Sequence, residues 1–205
     1  HGADALRLYE MFLGPLEATK PWSTSGIQGV SRFLERVHAL AQRSLCDEVP
    51  SEDLQRLLHK TIRKVGEDIE ALRLNTAISA LMILLNELAK VDPLPKEAVE
   101  ILVRLLHPFA PHLAEELWEQ LGHAPSLQDV PWPTYDEALC VDPYVTVAVQ
   151  VNGKMRGTVQ LAPGSSQDAA LAEASALESV QRQMEGKTLR KVIWVPDKLI
   201  NLIVG

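Results

Sequence analysis

Apolar positions over residues 1–122 recur at the three-and-four spacing that lines one face of a helix. Phe33, Leu34, Val37, Leu40 and Ala41 form one stripe, and Leu54, Leu57, Leu58, Ile62, Val65, Ile69 and Leu72 form a second, longer one. Asn75 is a candidate N-cap for a third helix burying Ile78, Leu81, Met82, Leu85 and Leu88, because its short side chain can accept from a first-turn N–H. After Pro93 and Pro95 a fourth stripe carries Val99, Leu102, Val103 and Leu106. The chain breaks at His107-Pro108, and a fifth helix opens near Pro111, buries Leu113, Leu117 and Leu121, and stops at Gly122, a residue suited to a helix C-terminus. Amphipathic helices joined by short connections predict an antiparallel bundle.

The pattern then changes twice. Residues 123–143 lose helical periodicity and gather prolines at positions 125, 131, 133 and 143, which predicts a Pro-rich linker. Beyond it the period is two: Val145, Val147, Val149 and Val151 alternate with Thr146, Ala148 and Gln150 up to the turn signal Asn152-Gly153. A two-residue turn would set Lys154 and Arg156 on the valine face, since opposed residues share a face. A three-residue loop with a bulge would instead align the valines with Met155, Gly157 and Val159 and leave Arg156 exposed, and this is the expected register. Residues 167–185 return to helical composition, divided near Ser175 and closed by Gly186, and Leu189–Val195 and Leu199–Val204 read as strands joined at Pro196-Asp197-Lys198. The fold class is therefore mostly α, an antiparallel helical bundle followed by a small α+β domain of order ββααββ, with no internal repeat.

Composition narrows the function classes. Hydrophobic residues at 46% and charged residues at 23% are those of a chain that buries a core, not of a disordered one. Cys46 and Cys140 stand alone, without a Cys-x-x-Cys pair or a histidine at ligand spacing, so neither a disulfide framework nor a zinc site is indicated and a reducing cytoplasm is expected. No apolar run reaches the ~20 residues that span a bilayer, so no membrane partner is expected. The start at His1, with residues 4–9 already reading as helix interior, suggests a piece of something longer.

Net charge of -7 argues against a generic polyanion binder and against DNA, but the charge is uneven. Residues 144–205 hold seven Lys or Arg against five Asp or Glu, so the acidity belongs to residues 1–143. Lys154 and Arg156 lie on one hairpin, and Lys187, Arg190, Lys191 and Lys198 surround the last two strands; they can converge on one RNA-contacting face or be an ordinary solvated surface. Trp22, Trp118, Trp132 and Trp194 offer stacking faces, but the last three are more simply explained by packing. His107 and His112 straddle a proline break and make no helical ligand pair, and Glu115 and Glu116 follow Pro111 closely enough to serve the helix dipole. No phosphate loop, metal helix or nucleophile elbow is present, so the residues define no catalytic centre.

Residues 2–9, Gly-Ala-Asp-Ala-Leu-Arg-Leu-Tyr, resemble the stretch after the lysine-rich loop of class I aminoacyl-tRNA synthetases for leucine, isoleucine and valine. Met11-Phe12-Leu13-Gly14-Pro15-Leu16 and Lys20-Pro21-Trp22-Ser23-Thr24 resemble the leucyl enzymes in particular. So do residues 72–81, the run from His107 to Trp118, and Asn152-Gly153-Lys154-Met155-Arg156-Gly157, the last typical of the bacterial type. The resemblance covers the whole chain in order. It implies a connection from the catalytic domain over residues 1–30, an anticodon-binding-type bundle over 31–122, a linker over 123–143 and a tRNA-binding domain over 144–205 that reaches the tRNA elbow. It further implies that leucine tRNA is bound by Lys154, Arg156, Lys187, Arg190, Lys191 and Lys198. Catalysis, with its ATP and magnesium, would belong to the catalytic part of the synthetase, on the same chain or a separate subunit; this stretch alone would be inactive and hold no cofactor. A free-standing subunit or protein-binding module, and a valyl or isoleucyl enzyme, are the alternatives.

Overall fold

The structure, a computed structural model, describes residues 1–15, 19, 21–124 and 126–205. Leu16, Lys20 and Pro125, on which parts of the sequence reading draw, lie outside the described residues. The chain forms two compact units, residues 1–141 and 142–205. The first contains α1 (Gly2–Phe12), α2 (Thr24–Ala41), β1 (Leu45–Cys46), α3 (Glu52–Glu70), α4 (Leu74–Leu88), β2 (Leu94–Pro95), α5 (Lys96–Leu106), α6 (Pro111–Gln120) and the short α7 (Glu137–Cys140). The two-residue strands β1 and β2 pair in parallel.

Most stripe residues read from the sequence line one continuous core, including Phe33, Val37, Leu58, Ile62, Val65, Leu81, Leu85, Leu102 and Leu106. Leu72 does not. It is exposed with φ +56°, the left-handed residue that ends α3 and turns the chain directly into α4. For the same reason Asn75 is not an N-cap: α4 begins at Leu74, with Arg73 in the cap position. The buried carboxylate of Asp68 fastens this corner. It accepts from Arg73 Nε (2.8 Å) and Thr76 Oγ1 (2.7 Å) and pairs with Lys64 one turn back.

α1 belongs to this core through Ala5, Leu8 and Tyr9. The Tyr9 hydroxyl accepts from Ser23 N–H at 2.6 Å, and a Cβ at Gly26 would stand 2.6 Å from the Tyr9 ring, so only glycine lets α2 start that close. Asp4 caps α6 from outside that helix, accepting from Leu113 N–H at 2.8 Å and from His112 N–H at 3.4 Å. Glu115, expected to serve the dipole of its own helix, instead accepts from Ser126 Oγ (2.5 Å) and Leu127 N–H (3.1 Å).

That contact is why the stretch read as a linker over residues 123–143 differs in the structure: its part up to Val141 falls inside the first unit. Leu127, in a single 3₁₀ turn (Leu127–Asp129), enters the core. Trp132 lies 3.5 Å from the Cβ position of Gly66 on α3. Arg56 of α3 donates to the carbonyls of Ala138 and Val141 at the end of α7, and Arg63 pairs with Glu137. Prolines break helical periodicity without detaching a segment, and these anchors come from residues far away in sequence.

The second unit is a four-stranded sheet covered on one face by two helices. It runs β3 (Val145–Val151), β4 (Lys154–Leu161), α8 (Gln167–Ala176), α9 (Glu178–Met184), β5 (Leu189–Val195) and β6 (Leu199–Val204). The strand order is β4-β3-β6-β5, with β3 and β6 parallel in the centre and antiparallel partners at both edges. Val147, Val149, Val151, Val159, Leu161, Ile200, Leu202 and Val204 face the helices, where Ala170, Ala174 and Val180 complete the core.

The hairpin register departs from the expectation. The loop has two residues, Asn152 (φ +51°) and Gly153 (φ +77°), and Val151 pairs with Lys154. The bulge lies inside the strand: Gln150 pairs with Met155 and Val149 with Gly157, leaving Arg156 as the extra residue. Two positive-φ residues make the tight turn favourable, and the bulge one step later restores Gly157 and Val159 to the valine face.

Candidate nucleic-acid interface

The motif Asn152–Gly157 is explained mainly by this architecture. Asn152 donates through Nδ2 to Val204 O (3.1 Å) and accepts from Val204 N–H (3.0 Å), clamping the β3–β4 turn onto the end of β6. Gly153 N–H donates to Asn201 Oδ1 at 3.1 Å. The Arg156 carbonyl accepts from Ser179 Oγ at 2.7 Å, and its guanidinium donates to Gln183 Oε1 at 3.1 Å, so the bulge aims this side chain at α9. A Cβ on Gly157 would meet Leu177 Cδ1 at 3.1 Å, where α9 begins its approach to the sheet. Asn152 and Gly153 are exposed, but their hydrogen bonds hold the fold, whereas the exposed Lys154 and Met155 side chains make no such bond.

The six basic residues singled out by the sequence divide accordingly. β3 ends, β4 starts, β5 starts and β6 ends at one end of the sheet, which follows from the strand directions. Lys154, Lys187, Arg190 and Lys191 all sit at that end. Lys154 begins one edge strand, Lys191 lies near the start of the other, and Arg190 occupies the register irregularity between Leu189 and Lys191, its guanidinium against Gly205. Four strands at ~4.8 Å spacing put the two edges about 14 Å apart. Arg156 is half-buried against α9, not exposed as expected, and Lys198 stands in the β5–β6 turn at the opposite end.

Charge in this unit is sorted by layer. All six of these cations lie on the strands or their flanking turns, whereas Asp168, Glu173, Glu178 and Glu185 lie on the helices or the residue closing them. Arg182 is the helical exception and is paired with Glu178 at 3.2 Å. Asp197 is the acidic exception in the sheet layer, and its carboxylate accepts from Gly164 N–H at 2.8 Å. Among the described residues, Lys154, Lys187, Lys191 and Lys198 make no ion pair. Lysines left unpaired on one layer give that layer a positive field that carboxylates on the other side do not quench locally.

The first unit offers a different chemistry. Three of its histidines are engaged with carboxylates: His107 Nε2 lies 3.2 Å from Glu115, His112 Nδ1 2.8 Å from Asp4, and His123 Nε2 2.6 Å from Glu100 while its ring stacks on Trp118. Burial would raise the Glu115 carboxyl, but the bonds from Ser126 and Leu127 and the nearby His107 outweigh it and hold it below the usual carboxylate range. Asp68 is lowered in the same way: burial opposes, and Lys64, Thr76 and Arg73 prevail. Of the tryptophans, Trp118 is buried and Trp194 packs against the terminal core, while Trp22, edge-on to Tyr9, and Trp132 keep exposed faces. Among the described residues no group of three or more His, Cys, Asp or Glu is placed to hold a metal ion, and no helix is long and apolar enough to cross a membrane.

A helical unit followed by a cation-bearing sheet unit is matched by a family model over residues 52–171, and the chain belongs to that family, the anticodon-binding domain of tRNA ligase. More narrowly, it is similar along its whole length to leucine–tRNA ligases. That of Sorangium cellulosum is 53% identical over 205 residues, and that of Chloroherpeton thalassium 53% identical over 211. The chain spans about a quarter of the length of these relatives, 24% and 26%. Among solved structures, the ternary complex LeuRS-tRNA-LeuAMS of Agrobacterium radiobacter matches with a TM-score of 0.75 and 33% identity, over 100% of this chain and 29% of that one. The mostly helical architecture with a small sheet agrees with the fold class read from the sequence.

Proposed function

We propose that this chain is the C-terminal, tRNA-docking part of a leucine–tRNA ligase, orienting leucine tRNA so that its acceptor end reaches a catalytic centre built by the remainder of the enzyme. The whole-length similarity to leucine–tRNA ligases and to a synthetase in complex with tRNA supports the identity of the parent. In this reading residues 1–30 connect to the catalytic domain, residues 31–122 form the anticodon-binding-type bundle, and residues 144–205 hold the tRNA. ATP and magnesium act in the remainder of the enzyme, in the cytoplasm, and the chain by itself attaches no leucine.

One observation carries the docking role: the unpaired lysines of the terminal unit share the sheet layer, with three of them and Arg190 at one end. Such groups bind phosphates by charge and shape and so position an RNA without reading its sequence. Arg156, tied to α9, braces the fold and is not itself a contact. The test is binding of leucine tRNA by the 205-residue chain across a salt series. Lys154→Gln with Lys191→Gln should weaken binding and flatten the dependence of log K on log salt by about one per lysine. Arg56→Gln, on α3, should leave that slope unchanged. An unaltered affinity and slope in the double lysine variant would remove the sheet layer from the interface.

A further inference from the structure

We propose that the uncovered face of the four-stranded sheet is a platform for nucleobases of the docked RNA, with phosphates held at its two ends. This rests on the docking reading above and gives the docking surface its chemistry. The register fixes which side chains share that face. Met155 pairs with Gln150, Gln150 with Asn201, and Asn201 with Ile193, so these four form one row across all four strands. The next row is Thr158, Ala148, Leu199 and Val195, and towards the cationic end Ile203 pairs with Lys191. None of these residues points at the helices, because their strand neighbours do.

The face is apolar where it has no cover. Met155 is 61% exposed, Ile193 40% and Val195 38%, with Leu199 and Ile203 half-buried between them. Lys191 stands at one end of this patch and Lys198, in the turn after Val195, at the other. That placement gives Lys198, remote from the other cations, a role on the same surface. No carboxylate belongs to the rows, and Asp197 in the adjoining turn is engaged with Gly164. An apolar strip with cations at both ends and no acid suits a polyanion carrying flat rings. Bases that leave the helical stack in folded RNA expose a flat face for packing and edges for hydrogen bonds, and a methionine thioether packs well on aromatic rings. Two amides lie in the middle of the strip. The Gln150 side chain makes no hydrogen bond among the described residues, and Asn201 uses Oδ1 on Gly153 while keeping its amide donors. They supply polar contacts to base edges that the aliphatic residues cannot.

Apolar and phosphate contacts differ in their salt signature, because only the latter release counterions. Fluorescence anisotropy of labelled leucine tRNA with the 205-residue chain separates them. Ile193→Gln with Val195→Thr should weaken binding about tenfold with an unchanged salt slope, whereas Lys191→Gln with Lys198→Gln should flatten the slope by about two. Ile193→Val should bind normally. Met155→Gln, on the opposite edge strand, provides a second variant should the first perturb folding, and should weaken binding about threefold at constant slope. Wild-type affinity in these apolar variants alongside weakened lysine variants overturns the platform and leaves docking intact; wild-type affinity in all of them removes docking as well. A concentration-dependent dimer of the chain, abolished by the Ile193/Val195 substitutions while tRNA binding persists, would assign the patch to a contact between copies and likewise overturn the platform.

Discussion

The two units use their charges in opposite ways. In the helical unit cations face carboxylates: Arg43 meets Asp92, Arg56 meets Glu52, Arg63 meets Glu137, Lys96 meets Glu100, and Lys64 and Arg73 share Asp68. In the sheet unit the four lysines outside the helices are left without such partners, and the acids stand on the other layer. A chain with a net charge of -7 can therefore present a cationic surface, because local sorting decides the field near a site while the sum over all residues does not. Exposed pairs such as Lys90–Glu87 contribute little to stability, so the contrast concerns recognition more than folding.

Asp68 is where charge pairing should matter most for folding. Its side chain is 0% exposed, and Lys64 and Arg73, both about half exposed, each contact one of its two oxygens. Asp68→Ala removes the acceptor that joins α3 to α4, including the bond from Thr76, and should cost about 3 kcal/mol, the low end for breaking a buried pair because both cations can return to water. The carboxyl is held below its ordinary pKa of 3.8, so its contribution is present above the unfolded-state value and is lost as pH falls through the folded value. Glu115 has the same sign. Acid titration of helicity should thus show the first unit weakening below about pH 4, with a shallower dependence in Asp68→Asn. An acid profile identical to wild type would show that the corner does not depend on the charge.

A smaller effect, confined to the sheet unit, is expected at Asn152. Asn152→Ala removes two bonds to Val204 and places a Cβ-bearing residue without asparagine's tolerance at φ +51°. The cost should be about 2 kcal/mol, one part from the lost bonds and one from the left-handed backbone. Amide exchange in β3 and β6 should accelerate while that of α3–α5 stays as it was. Asn152→Gly should recover the backbone part only. Equal acceleration in both units would mean that the terminal sheet does not open by itself.

These two sites also mark how far the sequence could be read. Helix stripes and strand alternation are local periodicities, and they placed Phe33, Leu58, Leu85, Val147 and Val149 in cores because burial repeats with the backbone. What depended on partners remote in sequence was not legible. Asp4 capping α6, Glu115 holding Ser126, and Arg56 fixing the segment around Val141 join residues more than ten positions apart, and the proline-rich stretch reads as free until those partners are known. The hairpin bulge was legible in kind but not in place, since a three-residue bulged loop and a two-residue loop with a bulge inside the strand both return Gly157 to the core face. The six cations were visible as a list of charges. Their division into four at one end, one against α9 and one at the far turn needed the parallel β3–β6 pairing, which no local pattern announces.

Arg182 tests the comparison at its weakest point. It is the cation of the sheet unit that behaves as those of the helical unit do, paired with Glu178 across one helical turn with both side chains largely exposed. Arg182→Gln should change stability by no more than about 0.5 kcal/mol, the range of an exposed i,i+4 pair. If layer, and not net charge, governs RNA contact, this variant should also bind leucine tRNA with wild-type affinity and salt slope, although it removes the same unit charge as Lys191→Gln. A loss of slope at Arg182 equal to that at Lys191 would mean that the RNA senses the unit's total charge, and the distinction between its two layers would have no bearing on binding.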